Sequence, residues 1–224
     1  MNRKETIKQW ARGFGLALIL GAAWRTAPAQ GIIHVVPQTP IYYGGPLQSS
    51  QDLDLNGDGV TDFVLESDGD TALLAPQGLN RLIAIPEPPP DLGSFVAALS
   101  PGFSVGSSLD PVYQWYDRQT DQFGNAVIGS QALFGNQFVV LGYFTGQTAF
   151  AGCDLYYDGA SHYGWIQIAN PLHIVAGAIT DWAYETAPDT AILAGQVPEP
   201  AAIVLFGLTV PMLCWLFRKR RRES

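Results

Sequence analysis

Residues 201–217 form an unbroken apolar run, and five cations, Arg218, Lys219, Arg220, Arg221 and Arg222, follow it directly. The run has 17 residues, about the minimum that crosses a hydrocarbon core as a helix. It carries no charge, and its one proline, Pro211, is of a kind that membrane helices tolerate. Cations resist transfer through lipid, so the expected topology keeps the basic end in the cytoplasm and everything upstream outside. Pro198, Glu199 and Pro200 stand just before the run. The two prolines stop a helix from continuing upstream and hold Glu199 extended. An extended peptide at the membrane surface is what a processing enzyme can grip.

The other end of the chain agrees with this topology. Arg3, Lys4, Lys8 and Arg12 precede an apolar stretch over 13–24, and Ala27-Pro28-Ala29 supplies the small residues of a cleavage site. The pattern predicts a signal peptide over 1–29, read by the Sec translocon and removed by signal peptidase, with the mature chain starting near Gln30. An ectodomain over 30–196 and a membrane tail over 197–224 follow. Pro-Glu-Pro at 198–200, a single span over 201–217 and an Arg-rich end over 218–222, in that order, resemble the PEP-CTERM sorting signal of Gram-negative bacteria that make exopolysaccharide. The resemblance covers the tail alone. It implies that the chain is a substrate of exosortase, a membrane-embedded, transpeptidase-like enzyme that cuts near Pro-Glu-Pro. It also implies passage through the inner membrane to the cell surface or the extracellular matrix of a biofilm.

Charge takes on a different meaning once the ends are set aside. Of 12 Lys and Arg, five lie at 3, 4, 8, 12 and 25 and five at 218–222, which leaves Arg81 and Arg118. Of 20 Asp and Glu, only Glu5, Glu199 and Glu223 lie outside the ectodomain, which leaves 17 against two and a net charge near −15. Such a surface repels nucleic acid and other polyanions and favours cations. Cys153 is the one ectodomain cysteine, since Cys214 falls in the apolar run. No disulfide framework is therefore expected, and Cys153 reads as a small buried residue.

Short runs rich in β-branched and aromatic residues alternate with Gly, Pro, Asn and Asp throughout the ectodomain. Segments 32–36, 61–65, 81–85, 112–116, 137–144, 163–169 and 178–184 read as strands. Asp158-Gly159-Ala160-Ser161 reads as the turn of a hairpin joining 154–157 to 163–168. No segment keeps a helical period over three turns. The expectation is an all-β protein, with a β-sandwich ectodomain between a signal peptide and a single transmembrane helix.

One segment has metal-ligand spacing. Asp54, Asn56, Asp58 and Asp62 stand at relative positions 1, 3, 5 and 9, with Gly59 at position 6 and the Val60 carbonyl at position 7. Oxygen donors at this spacing around a sharp glycine turn wrap a hard cation such as Ca²⁺. Position 12 is Leu65, so the bidentate glutamate of a helical EF-hand is missing, and the chain continues as a strand. The nine residues resemble the short calcium loops of FG-GAP and related β-rich extracellular repeats. Asp52 or Asp68 could add a ligand.

Tyr156, Tyr157, His162, Tyr163 and Trp165 cluster on the expected hairpin. Packing into a core is the favoured reading of this cluster, with stacking of Tyr163 and Trp165 on sugar rings as the alternative. No His-Glu-x-x-His, nucleophile elbow, Walker loop or dinucleotide fingerprint occurs. Asp154 with Asp158 is the one acid pair singled out for glycoside hydrolysis. These features predict a non-enzymatic, exported surface or matrix protein with a structural or adhesive role. The alternatives are a carbohydrate-binding module and a secreted polysaccharide hydrolase.

Overall fold

The longest pair of strands grows from a two-residue turn. Asp158 and Gly159 both have positive φ, 52° and 80°, as a hairpin turn matched to the right-handed twist of its strands requires. The computed structural model describes residues 31–44, 49–86, 94–117, 126–134, 137–171 and 175–198. The expected signal peptide, Glu199, Pro200, the apolar run and the basic residues 218–222 lie outside them. Among the described residues no helix is long and apolar enough to cross a membrane.

The protein is all-β. Its strands are β1 (Ile32–Val35), β2 (Ile41–Gly44), β3 (Ser49–Leu53), β4 (Phe63–Ser67), β5 (Thr71–Pro76), β6 (Arg81–Pro86), β7 (Ser94–Val96), β8 (Ser104–Val105), β9 (Gln114–Tyr116), β10 (Ala126–Phe134), β11 (Gln137–Leu141), β12 (Gln147–Tyr157), β13 (Ala160–Asn170), β14 (Ala176–Glu185) and β15 (Ile192–Leu193). All but β8 and β15, which pair with each other, belong to one sheet of order β1-β14-β13-β12-β6-β7-β10-β5-β4-β3. β2 adds to β14, β9 to β6 and β11 to β10. The β12–β13 turn is shorter than its sequence reading. Ala160 and Ser161 already belong to β13, opposite Tyr157 and Tyr156.

Alternation along β12 and β13 explains how one sheet serves two cores. Ala149, Ala151, Cys153 and Leu155 of β12 point into the larger core, with Ile166 and Ile168 of β13. Phe150 of β12, with Tyr163 and Trp165 of β13, points into a smaller one, closed by Leu99, Val105, Ile192 and Ala194. The larger core also takes Leu53, Phe63, Leu65, Ala72 and Leu74 from β3, β4 and β5. β2, at the other end of the strand order, packs against β4 and β5. The sheet therefore curls until its two ends face each other across one apolar interior. A β-bulge in β14 pairs Gln167 with Asp181 but Ile168 with Ile179. The extra residue, Thr180, lets Ile179, Trp182 and Tyr184 all reach the same core despite their mixed parity.

Close packing and burial explain two residues in the middle of the sheet. Gly152 faces the smaller core, where a Cβ would stand 2.6 Å from Ile83 Cδ1. Cys153 is buried, as its composition predicts, and burial pushes its thiol pKa up, away from reactivity.

The sheet also buries one charge pair. Asp154 of β12 sits directly opposite Arg81 of β6. Arg81 Nε donates to Asp154 Oδ2 at 2.9 Å, and Nη2 donates to the same oxygen. Ser161 Oγ donates to it as well, at 3.0 Å. The Arg81 guanidinium lies 5.2 Å from the ring centroid of Trp115, which stacks on Tyr163. Asp154 is fully buried, while Arg81 keeps a third of its side chain in water. Removing the cation leaves an uncompensated buried carboxylate, which costs about 3–5 kcal/mol, with the lower end expected for a partly wet partner. Arg81→Met should therefore lower urea stability by about 3 kcal/mol, and Arg81→Met with Asp154→Leu should recover most of that loss. Equal loss in the single and double variants would mean that packing against Trp115, not charge, sets the cost.

Candidate functional site

The nine-residue loop between β3 and β4 is held by its own side chains. Asp54 Oδ1 accepts from Gly57 N at 2.7 Å, and Oδ2 from Gly59 N at 2.8 Å. Asn56 Oδ1 accepts from Asp58 N at 2.9 Å, and Asp58 Oδ1 from Val60 N at 2.7 Å. Asn56 Nδ2 donates to Asp58 Oδ2 at 3.0 Å. Short polar side chains that bond to amides two to five residues on are the means by which Asp and Asn fix a loop. Gly59 has φ of 85°, so position 6 takes the left-handed turn that its spacing predicts. A side chain there would be strained by about 1–2 kcal/mol.

Asp62 differs from the other three. It is 5% exposed, whereas Asp54 and Asp58 lie in water. Its Oδ2 accepts from Leu55 N at 2.8 Å, and its Oδ1 from Asn80 Nδ2 at 3.1 Å. Asn80 Nδ2 also reaches the Asp62 carbonyl at 3.0 Å, while Asn80 Oδ1 accepts from Tyr156 N at 2.7 Å. Trp182 Nε1 donates to the Leu55 carbonyl at 3.0 Å. The loop is thus tied to the β5–β6 turn, to the end of β12 and to β14. Burial raises the Asp62 pKa above 3.8, the hydrogen bonds from Leu55, Asn56 and Asn80 pull it back, and the Asp58 charge raises it again.

The donor set has the chemistry of a hard-cation site: four side-chain oxygens, one peptide carbonyl, and no nitrogen or sulfur. Among the described residues, no three His, Cys, Asp or Glu side chains already converge as a formed metal cluster. The loop's carboxylates turn to its own amides instead, and each oxygen keeps a second lone pair for another donor or ion. Of the two further ligands named from sequence, neither is brought in. Asp68 Oδ1 closes the β4–β5 turn by accepting from Asp70 N and Thr71 N. Asp52 lies exposed on β3, opposite Val64.

The loop forms one wall of an open cleft of about 600 Å³. Tyr156, Tyr157 and Asp158 at the β12–β13 tip form the facing wall, and Gln77 to Asn80 and Tyr184 complete it. Tyr157 stacks on His162 at 3.9 Å and packs edge-on to Tyr184. Burial is the main cause that pushes the Tyr157 hydroxyl up to about 12 and raises that of Tyr184. Acids of the loop add to both shifts, so the cleft wall carries negative potential. A smaller cleft of about 320 Å³ adjoins it, lined by Gly78, Leu79, Arg81, Asp117, Tyr156 and Ser161.

The other sequence candidates take structural places. Tyr163 and Trp165 are 2% and 1% exposed, so their faces are not open to a sugar. Tyr163 stacks on Trp115, and Trp165 packs edge-on to Phe150 at 5.1 Å and donates to the Gln196 carbonyl. Sequence favours core packing over sugar stacking for both, and strand pairing leaves their face covered by the small core. Asp154 and Asp158 do not form a hydrolytic pair. Asp154 is buried against Arg81, and four residues of extended chain set the two about 13 Å apart. His162 is buried, with Nδ1 3.1 Å from the Glu185 carbonyl, and His34 Nε2 lies 3.0 Å from Asp181 Oδ2. Sequence reasoning missed Asn80 and the exposed Tyr156 as parts of the site. Only a Gly-Leu-Asn turn signal marks the first, and its role depends on a strand far away in sequence.

No family model, no curated protein and no solved structure matches this chain.

Asp62 gives a pH test of this geometry. Its folded pKa is raised, so below the unfolded value of 3.8 its contribution to stability is fully present. That contribution is lost as pH rises through the folded pKa. The stability difference between wild type and Asp62→Asn should therefore change across the mildly acid range and level off above it, as read by urea melts at stepped pH. Asn80→Ala should cost about 2 kcal/mol at neutral pH, because it removes the partner of Tyr156 N and the Asn80 bond to Asp62 Oδ1.

Proposed function

We propose that this chain is an exported, acidic protein of the bacterial envelope, sorted by exosortase at Pro198, Glu199 and Pro200. Its role is structural or adhesive, at the cell surface or within exopolysaccharide. Its ectodomain is a β-sandwich, and Asp54, Asn56, Asp58, Val60 and Asp62 hold a structural Ca²⁺. The observation that carries the reading is where the folded strands start and stop. β1 begins at Ile32, two residues after the expected mature start. At the other end, Trp165 Nε1 holds the Gln196 carbonyl at 3.1 Å, and Pro198 is exposed two residues later. Pro198 lies past the last strand, β15, so an enzyme that engages it need not unfold the sheet.

Calcium fits the same picture. A surface this acidic gains stability from a bound cation, and extracellular modules commonly bind calcium only at about 0.1–1 mM. The Ca²⁺ would neutralise the mutual repulsion of Asp58 and Asp62. Asp54 and Asp62 would hold it from the two ends of the loop, with the Val60 carbonyl, 7th in the spacing, as the backbone ligand.

Two experiments test these readings separately. Intact mass and fractionation, in the native host with and without exosortase, should show loss of residues 1–29 and an exosortase-dependent cut near 198–200. An intact tail in the inner membrane of both strains would overturn the sorting reading. Thermal melting should show a rise in Tm of several degrees at about 2 mM calcium. That rise should vanish in EDTA and in Asp54→Ala, and shrink as pH falls through the Asp62 titration. No shift at that concentration would remove calcium from the account.

A further inference from the structure

We propose that the two adjoining clefts either side of Tyr156 bind an uncharged oligosaccharide. The inference deepens the matrix reading, since it names the class of partner that an adhesive protein would take there.

Three observations carry it. The first is the character of the exposed apolar surface. Val60, Leu79 and Tyr156 are 64%, 56% and 42% exposed, and all three line the larger cleft. Their neighbours around it are Asn56, Asp58, Asp158 and Gln77. An aromatic and aliphatic surface ringed by oxygen acceptors suits a pyranose, whose C–H face packs on a ring while its hydroxyls donate outward.

The second is charge. The ionisable acids on the larger cleft are Asp58, Asp62 and Asp158, and no described Lys or Arg lines it. The larger cleft therefore offers an anionic glycan or a phosphorylated ligand no cationic side chain to pair with. A donor-rich, uncharged polyol needs none.

The third is shape. Gly78, Leu79 and Tyr156 line both clefts, so they form a ridge with a larger subsite on one side and a smaller one on the other. Two connected subsites across one aromatic ridge fit a chain of sugars better than a single unit. The polar wall of the smaller subsite is rigid, because Arg81 and Ser161 both hold the buried Asp154. The ridge is rigid too: Asn80 Oδ1 anchors Tyr156 N, and the ring of Tyr156 itself stays free to stack. Little ordering cost remains for binding.

The test uses the full chain in a detergent without a sugar headgroup, at about 2 mM calcium. Titration calorimetry would follow binding of hexasaccharides of glucose, galactose, mannose and N-acetylglucosamine, the secreted polysaccharide of the host, and octalysine as a basic peptide. At least one uncharged saccharide should bind. Tyr156→Ala should weaken it roughly tenfold or more, whereas Tyr156→Phe should stay within about twofold. Tyr42→Ala, at an exposed tyrosine on β2, should leave affinity unchanged. Melting temperature guards against misfolding of the variants. The proposal is overturned if no saccharide binds, if octalysine alone binds, or if Tyr156→Ala binds as wild type does. Sorting does not enter this measurement, and Tyr156→Ala should still be processed in the host, so failure of either reading is visible without the other.

Discussion

Much of the molecule hangs on a single buried carboxylate. Asp62 is taken out of water at the point where the β3–β4 loop re-enters the sheet, and an acid in that position needs donors on both oxygens. Leu55 N and Asn80 Nδ2 supply them. Because Asn80 also holds Tyr156 N, the same acid fixes the distance between the loop and the β12–β13 tip. The cleft between those two elements is a consequence of that network, and so is its aromatic wall.

A second layer of organisation comes from burying the middle strands on both faces. β12 and β13 send alternate residues into two cores, so no face of this hairpin's middle is left over for a ligand. Open surface is displaced to the hairpin's tip, where Tyr156 emerges beyond the buried Leu155. The Arg81–Asp154 pair marks the boundary between the two regimes. It stands on the small-core face, at the edge of the smaller cleft, two residues before the tyrosines begin.

Some of this was legible in the sequence and some was not, for identifiable reasons. The all-β class, the Asp158-Gly159 turn and the left-handed Gly59 depend on residues a few positions apart, and local chemistry fixes them. β1, β4, β6, β13 and β14 follow from β-branched and aromatic runs with clear ends. β5 and the first half of β12 were missed because Ala and Gly dilute their pattern. The segment 137–144 was read too long, since β11 ends at Leu141 and Phe144 turns into the larger core. Tyr163 and Trp165 read as core residues from strand propensity, but nothing within the hairpin announces that residues 99, 105 and 192 are what covers them. The burial of Asp62 was equally out of reach. Spacing makes it a fourth loop oxygen donor, and only its pairing with Asn80, 18 residues on, makes it the structural one.

The scarcity of cations between residues 30 and 196 has a further consequence for proteolysis. Residues 30–196 contain no lysine, and Arg81 and Arg118 are their only arginines. Arg81 lies within a central strand, its guanidinium held by Asp154. A protease that cuts after basic residues finds the Arg81 bond inside hydrogen-bonded sheet, where the backbone cannot be drawn into an active site without local unfolding. The Arg81–Asp154 pair thereby takes one of the two bonds that follow an arginine in residues 30–196 out of reach of trypsin-like enzymes.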